Sequence, residues 1–243
     1  DYLFHAMFSI MLFCTVFMMY PRAEVSAKRI EEVFNLDPII KNKPADSDFD
    51  EKVSIEFDHV TFVYPDGEEP VLQDVSFKAN KGEMIAFIGS TGSGKSTLVN
   101  LVPRFYDVSS GSIKINGKDI RDYDVLELRD KLGVIPQKAV LFSGTIADNI
   151  RFGKKDASDE EVEYAAKVAQ AYPFIMEKEN GFDEEISEGA TNVSGGQKQR
   201  LSIARALVRK AQIYIFDDSF SALDFKTDAI LRKELKKEMT ESI

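Results

Sequence analysis

Nine residues in the first half of the chain, Gly89-Ser90-Thr91-Gly92-Ser93-Gly94-Lys95-Ser96-Thr97, constrain its fold more than any other stretch. They contain G-x-x-x-x-G-K-[ST], a loop whose backbone N–H groups can wrap an anion because its glycines leave them uncovered. The pattern has structural meaning only between an apolar strand and a helix. Here Met84-Ile85-Ala86-Phe87-Ile88 predicts a strand running into Gly89, and residues 95–105 predict a helix. A strand–loop–helix of this kind is a phosphate cradle. Lys95 is expected to reach the β- and γ-phosphates of a nucleotide, and Ser96 to ligate Mg²⁺. Far along the chain, Ser194-Gly195-Gly196-Gln197 places a hydroxyl and two glycines at the head of another helical pattern, which suits a second anion. Two such surfaces imply a site closed from two sides.

The chain has 243 residues and 44% hydrophobic content, enough for one large domain with an appendage. Its net charge of −10 argues against a nucleic-acid partner. It does not argue against a nucleotide, because the loop works through local N–H groups and one lysine. A single cysteine, Cys14, excludes an intrachain disulfide and a cysteine cluster, and His5 and His59 lie too far apart in sequence to suggest a metal site. Residues 3–20 contain no Asp, Glu, Lys or Arg and are mostly Leu, Phe, Met, Ile and Val. As a helix they span roughly 27 Å, close to the ~30 Å hydrocarbon core of a bilayer. Arg22, Lys28 and Arg29 follow and mark the cytoplasmic end. The reading is a membrane-spanning helix in contact with lipid, with a buried helix of a soluble protein as the alternative. A signal peptide fits worse, since neither a basic segment nor a Met precedes the apolar run. The chain is therefore expected to start inside a longer protein, in its last membrane span.

Past residue 20 the apolar spacing of Val25, Ile30, Val33 and Phe34 predicts a cytoplasmic helix ending near Asp37-Pro38. Residues 41–52 are charged, contain Pro44 and lack periodicity; they read as a linker, or as a loop within one domain. The expected organisation is residues 1–20 as the end of the membrane helix, 21–52 as helix and linker, and 53–243 as the main domain. Short strands are predicted over residues 53–57, 60–64, 71–77 and 113–115. Residues 158–170 predict a helix with Ser158 and Glu161 as a capping box. Further helices are expected over 197–208 and 227–239, with a buried strand at Ile213-Tyr214-Ile215-Phe216 between them. The fold class is α/β, with an antiparallel β portion early in the domain and a helical insertion in its middle.

That buried strand ends at Asp217, followed by Asp218. In a phosphate-binding loop protein such an Asp holds Mg²⁺. With these residues assembled, the chain resembles the ATP-binding domain of ABC transporters of the exporter type, close to multidrug half-transporters. Ser194-Gly195-Gly196-Gln197-Lys198-Gln199-Arg200 is similar to the family signature, Ser221-Ala222-Leu223-Asp224 to its D-loop, and Gln137 after Val134-Ile135-Pro136 to its Q-loop glutamine. Tyr64 sits where the family stacks a ring on adenine. Pro21-Arg22-Ala23, Arg104-Phe105-Tyr106-Asp107 and Leu141-Phe142-Ser143-Gly144-Thr145-Ile146 look like exporter sequences.

The resemblance implies that residues 89–97 bind the phosphates of ATP in cis, while Gln137 senses Mg²⁺ and the γ-phosphate. It implies that Ser194, Gly195 and Gly196 grip the γ-phosphate of an ATP held by a second half-transporter, with Gln197 and Asp224 beside that shared site. It implies a plasma-membrane protein, multi-pass over its full length, that couples ATP hydrolysis to efflux of a substrate this chain does not reveal. A soluble ABC clamp outside transport is the alternative, and an ATP-binding switch without hydrolysis a third reading. Two departures stand out. The family usually has Glu, which polarises the attacking water, where this chain has Asp218; such an Asp resembles the degenerate half of a heterodimer. A homodimer in which Asp218 is a working base is the competing reading. The family's switch histidine also lies farther beyond the D-loop than this chain extends, so the chain reads as a piece cut at both ends, inactive in isolation.

Overall fold

Period-two alternation along residues 54–62 decides the first layer: Ile55, Phe57, Val60 and Phe62 are buried, and their neighbours are not. In the computed structural model, which describes residues 1–44 and 53–243, these positions lie on one continuous strand, β1 (Ser54–Phe62). It pairs antiparallel with β2 (Leu72–Asn80) on one side. On the other it pairs antiparallel with β3 (Ser110–Ile115), which turns back into β4 (Lys118–Asp119). The expected pair of strands over 53–57 and 60–64 is thus one strand with a bulge. The register slips between Phe57 and Val60, and His59 takes φ 50° there. Gly111, at φ 81°, makes the bulge possible from the facing strand, because a Cβ there would stand 2.3 Å from the His59 carbonyl oxygen. Between β2 and β3 lies α2 (Lys95–Leu101), shorter than the predicted helix.

The remaining elements are α3 (Val125–Asp130), β5 (Leu132–Ile135), β6 (Gly144–Thr145), α4 (Ile146–Arg151), α5 (Asp159–Val168), α6 (Tyr172–Met176), β7 (Glu185–Ile186), α7 (Gly195–Leu207), β8 (Ile213–Phe216) and α8 (Phe225–Glu238). β5 and β8 run parallel, Leu132 opposite Ile213 through Ile135 opposite Phe216, and this pair separates two cores. Leu132, Ile213 and Ile215 face the antiparallel sheet, with Leu98, Leu101, Tyr123 and Leu128. Ile135, Tyr214 and Phe216 face the helical side, where Ile146, Ile150, Val162, Ile175, Leu201 and Leu231 pack. Alternate residues of two adjacent strands feeding two cores is what a parallel pair covered on both faces requires. The helical insertion expected from the sequence is the α4–α6 segment. Ser158 caps α5 through the predicted box with Glu161.

Residues 84–88 are a correction: they form no strand. Met84 is 74% and Ile88 96% exposed. A strand needs a lateral partner for its N–H and C=O groups. Among the described residues none pairs with this segment, and the edge of β8 away from β5 receives only Ile243, whose N–H bonds to Gln212 O and whose carbonyl accepts from Tyr214 N–H.

Residues 1–41 form a unit of their own. Its helix α1 (Tyr2–Phe34) runs unbroken through Pro21 and stops at Asn35, a little before the expected end. It contains an apolar window long enough to cross a membrane, and none of its residues is buried. Inside that window Ser9 and Thr15 return their hydroxyls to the carbonyls of His5 and Met11, so the polar groups are satisfied within the helix. Residues 45–52, most of the expected linker, lie outside the described residues.

Candidate functional site

The loop at residues 89–97 is built by its glycines. Gly94 takes φ 86° at the head of α2, and a Cβ there would meet Leu72 at 2.9 Å and the Val71 carbonyl at 3.1 Å. Both space and backbone sign demand glycine. The turn brings Lys95 Nζ back over the loop, donating to Gly89 O at 2.8 Å, Ser90 O at 2.7 Å and Ser93 Oγ at 3.3 Å. Ser96 Oγ donates to Asp217 Oδ1 at 3.0 Å, across 121 residues of sequence. Thr97 Oγ1 lies 2.9 Å from the Tyr64 hydroxyl. The Tyr64 ring is half-buried, edge-on to Phe62 and Tyr106, with centroids 4.9 and 5.3 Å away.

Asp217 and Asp218 leave the end of β8 side by side. The Asp217 N–H donates to Ile135 O at the end of β5, which ties the two strand ends together. Two residues past Ile135, Gln137 Nε2 donates to Asp218 Oδ2 at 3.2 Å. The predicted residues Lys95, Ser96, Thr97, Tyr64, Asp217, Asp218 and Gln137 therefore occupy one neighbourhood, joined through the β5–β8 pair.

Ser194, Gly195, Gly196 and Gln197 stand apart from it. Ser194 caps α7 by a reciprocal box: its Oγ accepts from Gln197 N–H at 3.3 Å, and Gln197 Oε1 accepts from Ser194 N–H at 2.9 Å. A Cβ on Gly195 would meet open space, so that face of the helix start is bare. A Cβ on Gly196 would lie 3.0 Å from Ala222 O, which puts residues 221–224 against the same helix start. Asp224 caps α8 by accepting from Thr227 N–H at 3.0 Å, and the hydrogen bonding by Thr227 holds its carboxyl below the usual range. Among the described residues no hydrogen bond or ion pair joins residues 194–197 to residues 89–97.

Asn149 and Arg205, which motif reading passed over, and Gln199 of the signature stretch hold the Gln137 segment in place. Asn149, 2% exposed, accepts from Phe142 N–H and donates to the carbonyls of Phe142 and Thr145. Arg205 donates to Asn149 O, Asn149 Oδ1 and Val140 O, and lies over the Phe142 and Phe152 rings. Burial lowers the pKa of this guanidinium. Gln199 Nε2 reaches the Pro136 carbonyl at 3.4 Å. Nothing local in the sequence marks Arg205 for this role, because it bonds to Asn149 and Val140 across 56 and 65 positions.

For Mg²⁺, the Ser96 hydroxyl and the Asp217 carboxylate offer hard oxygen donors in direct contact. That small set fits Mg²⁺, which uses few protein ligands together with phosphate oxygens and water. No group of three or more His, Cys, Asp or Glu suited to a metal occurs among the described residues.

A glycine-rich loop opening a helix, with a strand-end carboxylate against its serine, defines a P-loop nucleotide-binding domain. The helical insertion and the Ser194 helix start narrow the class further. The chain belongs to the ABC transporter family, whose profile matches residues 72–221. It is 48% identical over 181 residues, 74% of this chain, to a Staphylococcus aureus protein that carries the name multidrug export ATP-binding/permease protein. It is 46% identical over 222 residues, 90% of this chain, to the ABC transporter ATP-binding protein YfiB of Bacillus subtilis. The chain spans 31% and 38% of the length of these two curated relatives. Among solved structures, that of a bacterial Atm1-family ABC exporter with ATP bound aligns at a TM-score of 0.87 and 34% identity, over 94% of this chain and 40% of that one. The matched region is an ABC-type ATPase domain with an antiparallel β part and a helical insertion.

Proposed function

We propose that this chain is part of a half-transporter of an ABC exporter in the plasma membrane. In this reading it pairs with a second, different half-transporter, and ATP binding and hydrolysis drive efflux of a substrate. The observation that carries the reading is the Ser96–Asp217 contact, which sets the phosphate loop against a strand-end carboxylate, with Gln137 and Asp218 beside it. Lys95 and the loop N–H groups bind the ATP phosphates, Ser96 and Asp217 hold Mg²⁺, and Tyr64 borders the base. When bound, Mg²⁺ neutralises charge on the β- and γ-phosphates. The name of the Staphylococcus aureus relative supports organic drugs as cargo. The long, unburied apolar stretch of α1 supports a membrane subunit over a soluble clamp.

The two anion-binding surfaces serve different nucleotides. Ser194, Gly195 and Gly196 present a hydroxyl, bare N–H groups and a helix dipole to the γ-phosphate of the partner's ATP. This chain's own ATP faces Asp218, one methylene shorter than a glutamate, so its carboxylate stands roughly 1.5 Å farther from the water it should polarise. A displacement of that size costs about 10²-fold in rate. This chain's own ATP is therefore hydrolysed slowly and braces the dimer, while the partner's ATP is turned over. In the assembled transporter, changing the partner's water-polarising carboxylate to an amide should reduce ATP turnover to near background. Turnover close to wild type in that complex would show that Asp218 is a working base.

A further inference from the structure

We propose that Ser219 is the positioning residue of Asp218. The inference rests on the reading of Asp218 as the carboxylate facing the attacking water. Ser219 is 1% exposed, and its Oγ donates to Ile135 O at 2.8 Å, with Asp217 O a further 3.3 Å contact. That carbonyl already accepts the Asp217 N–H at 3.0 Å. The hydroxyl therefore does not rescue an orphan acceptor. What it fixes is the peptide immediately after Asp218.

Asp218 needs fixing. It stands at φ 47°, in the left-handed region that residues with a side chain enter at a cost, aspartate at a smaller cost than most. A residue left free would relax towards negative φ and swing its side chain away. Two bonds, both on its C-terminal side, oppose this. Ser219 is anchored to the end of β5, and the Asp218 carbonyl accepts the Ser221 hydroxyl at 3.0 Å. With the backbone so held, Asp218 Oδ2 meets Gln137 Nε2. Gln137 is two residues beyond Ile135, so the contacts close a ring: Ile135 carbonyl, Ser219 hydroxyl, Asp218 carboxylate, Gln137 amide, and back along the chain through Pro136.

The test uses the assembled full-length transporter, with the partner's water-polarising carboxylate changed to an amide so that turnover reports this chain's site. Asp218→Glu is expected to raise kcat by about tenfold or more, and adding Ser219→Ala to remove most of that gain, with KM for ATP within about twofold. In an Asp218→Asn background Ser219→Ala should change nothing further, because Ser219 acts through the carboxylate. The proposal is overturned if the Asp218→Glu, Ser219→Ala protein keeps the full gain. It is equally overturned if Ser219→Ala lowers turnover as much in the Asp218→Asn background as it does beside the acid. Should Asp218→Glu leave turnover at its wild-type level, the short-carboxylate reading falls. Ser219→Ala against wild type then decides on Ser219 alone: a lower kcat at constant KM supports positioning, an unchanged kcat refutes it. Ser219→Cys keeps the volume and weakens the donor, so it guards against a folding defect. It should give an intermediate kcat, and a wild-type kcat would refute the proposal.

Discussion

At the residue scale, the site depends on a few contacts with separable roles. Lys95 Nζ rests on the Gly89 and Ser90 carbonyls, which holds the cation over the loop. A hydrogen bond from a charged group is worth about 1.5–3 kcal/mol. Lys95→Ala should therefore weaken ATP binding by about ten- to a hundredfold, as measured by displacement of a fluorescent nucleotide. An unchanged affinity would remove Lys95 from the phosphate site. Lys95, Ser96, Asp217, Gln137 and Asp218 were legible in the sequence because their signals are local: a spacing, or an apolar strand ending in an acid. Ser219, Asn149 and Arg205 were not. Ser219 bonds to a carbonyl 84 positions away and Arg205 to one 56 positions away, so only the packed fold reveals them.

At the element scale, the strand and helix predictions succeeded where periodicity and capping agreed. Residues 213–216 emerged as β8, and Ser158 begins α5 through its box. Prediction failed where pairing decides. Apolar residues 84–88 have strand composition, yet a strand exists only with a neighbour, and none is found among the described residues. The bulge at His59 likewise needed Gly111 on a facing strand to be visible. α5 also carries a charge-dependent contribution to stability. Glu161 is drawn down to about 2, first by its bond with Lys154 and then by Lys210 and the Ser158 N–H. A carboxylate with a depressed folded-state pKa stabilises above its ordinary value of 4.5 and loses that contribution as pH falls towards 2. Glu161→Gln should therefore lower the denaturation midpoint at pH 7. Its gap to the wild-type protein should close steadily between pH 4.5 and 2. A gap that does not change with pH would assign the effect to lost packing.

At the scale of the whole molecule, the chain carries one nucleotide site and one signature, and in our account they act on different ATP molecules. Two observations support that division: residues 89–97 assemble with Asp217, while Ser194 heads α7 with Gly195 bare, Gly196 against Ala222, and no bond to the loop among the described residues. The chain spans about a third of the length of its curated relatives, so the test of the proposed function uses the full-length, assembled protein. The most direct test is ATP turnover of that assembly with two single changes in this chain, Ser194→Ala and Asp218→Asn. We expect Ser194→Ala to abolish most of the turnover, because it strips a γ-phosphate contact from the partner's active site, and Asp218→Asn to leave most of it intact. The opposite pattern, with turnover lost on Asp218→Asn and kept on Ser194→Ala, would contradict the account.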